Sequence, residues 1–244
     1  MSVWTRLGEL FARAPAAALS QVLEALRSFF AGDPQLRRQV AFSVAMIALS
    51  AKMAKADGVV TEDEVRAFRE IFAIPPQEER NVARLYNLAR QDIAGFEAYA
   101  RQLAALCGSG DANCALLEDI LDGLFHIAGA DGILHEREVG YLSRIAEIFA
   151  IEEAHFQTIL ARHAIDAGSD PYAVLGVAPG MPYADIRQRY RALVAENHPD
   201  RAIARGLPAE FIAIANRRMA AINDAFSAIE RSLRPRHLTG SRPA

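Results

Sequence analysis

The chain has 244 residues, of which 52% are apolar and 23% charged, with a formal net charge of −3. That length accommodates one large or two small domains, and the apolar fraction is enough for a buried core. Two cysteines, with no CxxC pair and no His/Cys cluster at zinc-ligand spacing, exclude a disulfide scaffold. Ala, Leu, Ile, Arg and Glu dominate while β-branched runs are scarce, so the predicted fold class is all-α, in two domains with little or no sheet.

The charge is unevenly spread. Residues 1–182 hold 16 Lys+Arg against 24 Asp+Glu, a balance of −8, whereas residues 183–236 hold 10 against 6, a balance of +4. A basic surface of that size suits an acidic protein partner better than nucleic acid, and a solvated face without a partner is the alternative.

In chain order, residues 1–35 read as an N-terminal helical segment. Arg6, Glu9 and Arg13 interrupt its apolar stretch, so it does not read as a secretory signal. Trp4, Leu7, Leu10 and Phe11 form a stripe suited to packing on the chain's own domain, with a membrane interface as the other reading. The run "VAFSVAMIALSA" over residues 40–51 is about half the length needed to cross a bilayer. The expectation is a soluble, cytoplasmic chain with no transmembrane segment. Cys107 and Cys114, seven residues apart, fit one helix face, as small buried residues in a reducing compartment.

An internal repeat follows. "MAKADGVVTEDEV" (residues 53–65) and "IAGADGILHEREV" (residues 127–139) align without a gap, and each runs on to Ile-Phe-Ala-Ile. Two copies of a helix-loop-helix unit are predicted over a domain spanning 36–165. In each, Asp-Gly ends one helix, because Gly takes the left-handed conformation at little cost. Thr61 with Glu64 makes a capping box for the next helix, and His135 with Glu138 stands in the matching places. The same carboxylates also read as hard oxygen ligands, with Asp57, Glu64, Asp131 and Glu138 as candidates for Ca²⁺ or Mg²⁺. The loops lack the alternating ligands of an EF-hand, and both readings, caps or metal, stay open.

Gly168, Ser169, Asp170 and Pro171 stop one helix and open another, which places a short linker there and a second domain over 166–236, with a flexible tail at 237–244. In that domain Ile186, Tyr190, Leu193 and Val194 form one helical stripe, with Arg187 and Arg191 together on its flank. Phe211, Ala215, Met219, Ile222, Phe226, Ile229 and Leu233 form the seam of an antiparallel partner helix. Pro199 disfavours helical geometry at His198, so "NHPDR" ends the first helix and sets His198, Pro199, Asp200 and Arg201 at an exposed hairpin tip, followed by an extended loop.

These motifs carry two resemblances. The duplicated Ala-Asp-Gly units resemble the TerB-like helical domain of tellurite-resistance proteins and some co-chaperones, which implies a helical bundle whose acidic loops are associated with divalent cations in some members. "DPYAVLGV", "IRQRYRALVAENHPDR" and "INDAF" together resemble the J-domain of DnaJ-type co-chaperones. Phe226 stands where Tyr is more usual. The pairing of the two domains resembles the DjlA-like group, although the N-terminal anchor typical of that group is not evident in this sequence.

The J-domain resemblance implies a DnaK-type chaperone as partner, bound through Arg187, Arg191 and Arg201 and stimulated by the His198-Pro199-Asp200 loop. Gln188, Ala192 and Glu196 stand where DnaJ itself is more basic, so the docking face is thinner. The chain is expected not to be an enzyme and to require no cofactor. A His/Asp pair at a hairpin tip forms no pocket, and Arg187, Arg191, Arg217 and Arg218, interleaved with acids, make no nucleic-acid platform. An unknown client taken through the TerB-like domain and a homodimer are further expectations. The alternative function is a stress-response metal-binding or scaffold protein in which the J-domain is secondary.

Overall fold

The computed structural model describes residues 34–57, 62, 65–68, 74, 76–91, 95–105, 114–164, 170–204 and 212–233. The elements described are helical, with no strand among them. The N-terminal segment before residue 34 and the tail after 233 lie outside these residues.

Helix α1 (Pro34–Asp57) opens on a proline, whose missing N–H costs nothing at a helix start. Every residue from 42 to 54 is buried, Lys52 and two serines included. A helix apolar on all sides needs neighbours on all sides. Helices α2 (Glu79–Gln91), α3 (Phe96–Ala104), α4 (Ala115–Ala128) and α5 (Glu136–Ile148) provide them. The run that is too short for a bilayer is thus the centre of a bundle. Among the described residues no helix is long and apolar enough to cross a membrane.

Local chemistry fixes the helix ends and their contacts. Val82, Leu85 and Ala89 recur at helical spacing and are the buried face of α2. The Tyr141 hydroxyl of α5 donates to the Leu49 carbonyl at 2.9 Å, which satisfies a polar group inside the bundle. A single 3₁₀ turn (Gly129–Asp131) follows α4, and Gly132 takes φ +86°, the left-handed stop that Asp-Gly predicts. Helix α6 (Glu153–His163) closes the bundle, with Phe156 tilted against Phe125 at 5.7 Å.

The second domain begins at helix α7 (Pro171–Leu175), where Asp170 accepts the Tyr172 N–H at 3.0 Å and Pro171 takes the first helical position. Gly176, at φ +63°, caps its end. Helix α8 (Tyr183–Glu196), helix α9 (Pro199–Ala204) and helix α10 (Ile212–Leu233) are the remaining elements among the described residues. Val174, Leu175, Ile186, Leu193, Ile222, Ala225, Phe226 and Ile229 form a small core of their own.

Three expectations are corrected. The segment after the tripeptide does not begin as an extended loop: Pro199 starts the short helix α9 with Asp200 in its first turn. The α10 seam is not a single J-domain surface. Ala215, with Ile214, is buried in the core of the N-terminal bundle, while Leu233 is 50% exposed. Cys114 is disulfide-bonded, against the reducing-compartment reading, and Cys107 lies outside the described residues. The shared helix face expected for the two cysteines fails because α3 ends at Ala104 and Cys114 sits just before α4.

A cluster of buried charges joins the two domains. Arg218 of α10 bonds to Asp119 and Asp122 of α4, each at 2.9 Å. Asp122 also meets His163 Nε2 at 2.9 Å, and the His163 ring stacks on Phe125. Burial alone would raise the Asp122 carboxyl, but the charges of Arg218 and His163 hold it far below the usual carboxylate range. Burial would likewise lower Arg218, and Asp122, then Asp119, keep it above its ordinary value. Gly123 makes the approach of α10 feasible, since a Cβ there would meet Met46 Cε at 2.8 Å and Ile214 Cδ1 at 3.3 Å.

Candidate chaperone-docking site

Helix α8 turns its apolar stripe inward and its arginines outward. Ile186 and Leu193 are buried, whereas Arg187 and Arg191, one turn apart, are exposed. Arg189 points elsewhere, with its Nε donating to the Leu175 carbonyl at 3.4 Å. On the far side of the hairpin Tyr190 stacks flat on Phe226 at 4.0 Å, and its hydroxyl donates to Asn223 Oδ1 at 3.0 Å. Phe226 uses its ring face here, so a hydroxyl at that position is not needed for the stack.

Asn197 terminates α8. Its backbone N–H and its Nδ2 both donate to the Leu193 carbonyl, at 2.9 and 2.8 Å. Its Oδ1 accepts from Arg218 Nη1 at 3.1 Å, so this buried amide has partners at both ends. The chain then passes into the tripeptide. The Asp200 N–H donates to His198 Nδ1 at 3.2 Å, and Arg201 N–H donates to the His198 carbonyl at 2.9 Å. An Nδ1 that accepts leaves the proton of a neutral ring on Nε2, the nitrogen free of this turn.

His198 and Asp200 side chains are 51% and 84% exposed, with His198 Nδ1 3.5 Å from Asp200 Oδ2. Pro199 is half-buried and Arg201 exposed. The six residues expected to bind a chaperone lie on consecutive elements: Arg187 and Arg191 on α8, His198 at the junction, and Pro199, Asp200 and Arg201 in the first turn of α9. This is an open surface with charge on one helix face and a hydrogen-bonded turn beside it. Nothing in it resembles a catalytic pocket.

The four candidate metal ligands separate by copy. In the second loop Asp131 Oδ1 accepts the Ile133 N–H at 2.9 Å, and Glu138 Oε2 accepts the His135 N–H at 3.0 Å. Both carboxylates thus make the turn and the cap of their own loop. Asp57 ends α1, and its side chain and Glu64 lie outside the described residues. Among the described residues no group of three or more His, Cys, Asp or Glu side chains could hold a metal ion.

Sequence reasoning missed Asn197 and Arg218. Arg218 was grouped with surface arginines, yet it is 6% exposed and faces the bundle. A signal was present in α4, "ALLEDILDGLFHIA", where Asp119 and Asp122 interrupt an apolar helix three residues apart and call for a buried cation.

Comparison with known proteins agrees with this geometry. Residues 170–231 match the DnaJ domain family, and residues 43–161 match the family described as tellurite resistance protein TerB. The chain thus carries a TerB domain followed by a C-terminal DnaJ domain. Similar proteins named co-chaperone protein DjlA occur in Photobacterium profundum, 28% identical over 80% of this chain and 78% of that one, and in Coxiella burnetii, 27% identical over 73% of each. The Escherichia coli protein of that name is 25% identical over 80% of this chain and 81% of its own length. With a TerB domain followed by a C-terminal DnaJ domain, the architecture is DjlA-like. No solved structure matches the chain.

Proposed function

We propose that this chain docks on a DnaK-type chaperone and stimulates that partner's ATP hydrolysis, without being an enzyme itself. One observation carries the proposal: an intact His198-Pro199-Asp200 turn stands exposed at the end of a helix that exposes Arg187 and Arg191 on one face. The arginines supply electrostatic steering toward an acidic surface, and the thin charge of this face predicts a modest affinity with strong salt dependence. The turn, rigid through its internal hydrogen bonds, delivers His198 and Asp200 to the partner in one geometry. The TerB-like bundle serves as the targeting or regulatory module.

The test is single-turnover ATP hydrolysis by the DnaK-type chaperone of the same cell, with increasing amounts of the full chain. Acceleration that saturates supports the reading. No acceleration at any concentration overturns it.

A further inference from the structure

Helix α10 belongs to two cores at once. Its first turn places Ile214 and Ala215 in the bundle, and its later turns place Ile222, Ala225, Phe226 and Ile229 in the J-domain. Arg218 lies where the two meet, and all three of its guanidinium nitrogens are bonded. Nε donates to Asp122 Oδ2 and Nη2 to Asp119 Oδ1, both on α4 of the bundle; Nη1 donates to Asn197 Oδ1, immediately before the tripeptide. A guanidinium is a planar, rigid fork, so fixing two of its nitrogens fixes the third.

We propose that Arg218 is a positioning residue for the His198-Pro199-Asp200 loop, through which the carboxylate pair of the N-terminal bundle sets the geometry the loop presents to its chaperone. The proposal rests on the co-chaperone reading above and adds to it a dependence on the other domain. Its physical basis is the double role of Asn197. The amide ends α8 through Leu193 and takes its orientation from Arg218, so the direction in which the chain leaves the helix is set from the bundle side. His198 and Asp200 themselves touch none of Asp119, Asp122 or Arg218 through any hydrogen bond the structure shows, so the hydrogen-bonded route to the loop runs through Asn197, beside the packing of α9 on α10. The docking arginines are exposed on α8, outside this chain of bonds.

The experiment uses the full chain and three variants. Asn197→Ala cuts the last link and leaves Arg218 with its carboxylates. Arg218→Lys keeps the charge and loses the fork. Asp119→Asn keeps shape and an acceptor on the bundle side and removes the charge. Single-turnover hydrolysis by the DnaK-type chaperone, measured against co-chaperone concentration, separates the maximal rate from the half-saturating concentration. Backbone amide spectra follow His198 and Asp200 directly, and thermal melts show that each variant is folded.

The expected result is a loss of about fivefold in maximal stimulation for Asn197→Ala, the worth of one buried hydrogen bond, with the half-saturating concentration unchanged. Arg218→Lys should behave in the same way, and Asp119→Asn should shift the His198 and Asp200 amide resonances from the other domain. Folded variants with wild-type maximal rates and unshifted loop amides would overturn the proposal, as would a change confined to the half-saturating concentration. If Arg218→Lys does not fold, Asn197→Ala decides the matter. If the wild-type chain gives no stimulation, the co-chaperone reading falls alone, and the loop amides of Asp119→Asn still decide the coupling.

Discussion

Replacing Asp122 with Ala removes one of the two counter-charges of buried Arg218 and the hydrogen-bond partner of the part-buried His163 ring in one step. The residue is 1% exposed, and its two oxygens each meet a cation or a titratable ring at 2.9 Å: Arg218 Nε on one side and His163 Nε2 on the other. Removing one member of a buried pair leaves an uncompensated charge and costs about 3–5 kcal/mol. Arg218 retains Asp119, so the lower half of that range applies, and with roughly 2–4 °C lost per kcal/mol in a chain of this size the melting temperature should fall by about 10 °C. Urea unfolding followed by helical circular dichroism gives the free energy directly. A cycle with Arg218→Met should show a combined cost smaller than the sum of the single costs by about 1 kcal/mol or more. A loss for Asp122→Ala below about 1 kcal/mol would place the cluster with solvent-screened surface pairs and refute its assignment as a buried junction.

His198→Gln or Asp200→Asn should abolish stimulation of the DnaK-type ATPase and leave the melting temperature unchanged, because both side chains are exposed; a marked loss of helicity would mark the turn as structural. Arg187→Ala with Arg191→Ala should raise the half-saturating concentration at low salt and flatten its salt dependence, and titrations identical to wild type would remove these arginines from the contact. Stability should be level above neutral pH and fall on acidification. Burial and then Arg217 lower His126 from 6.5 to about 4, so its contribution is complete above pH 6.5 and is lost as pH falls toward 4. Burial raises Glu118, but His155, Arg218 and Arg162 bring it from 4.5 down to about 2, so its contribution disappears between those values; urea midpoints that rise between pH 7 and pH 3 would contradict both assignments. Ca²⁺ or Mg²⁺ should leave the melting temperature of the full chain and of its Asp131→Asn variant unchanged, if Asp131 and Glu138 act as turn and cap; a metal-induced rise of several degrees that the variant loses would assign them as ligands.

Much of the architecture was legible because it depends on local chemistry. Asp-Gly at 131–132 and Asp-Pro at 170–171 force a helix end and a helix start whatever surrounds them, and both occur where the residues predict. The tripeptide was legible for the same reason, as was the outward flank of Arg187 and Arg191. The junction between domains was not. Arg218 stands on the apolar face of α10, four residues from Ile214 and from Ile222, which marks it as inward-facing, but which carboxylates it meets depends on how two helices far apart in sequence cross. Helix α9 carries its own start signal, Pro199 at the first helical position with Asp200 in the first turn, so the proline that ends α8 also opens the next helix.

Helix α10 also bears on how this chain can be cut. A J-domain is commonly thought of as a cassette that can be moved between proteins, but Ile214 and Ala215 are part of the bundle's interior, and Gly123 leaves room for Ile214. Excising the bundle without α10 would open a notch over Met46 and expose apolar surface at its floor. Excising the J-domain without the bundle would leave Arg218 with neither of its carboxylates. Transplants between relatives should therefore exchange the α4 face together with α10.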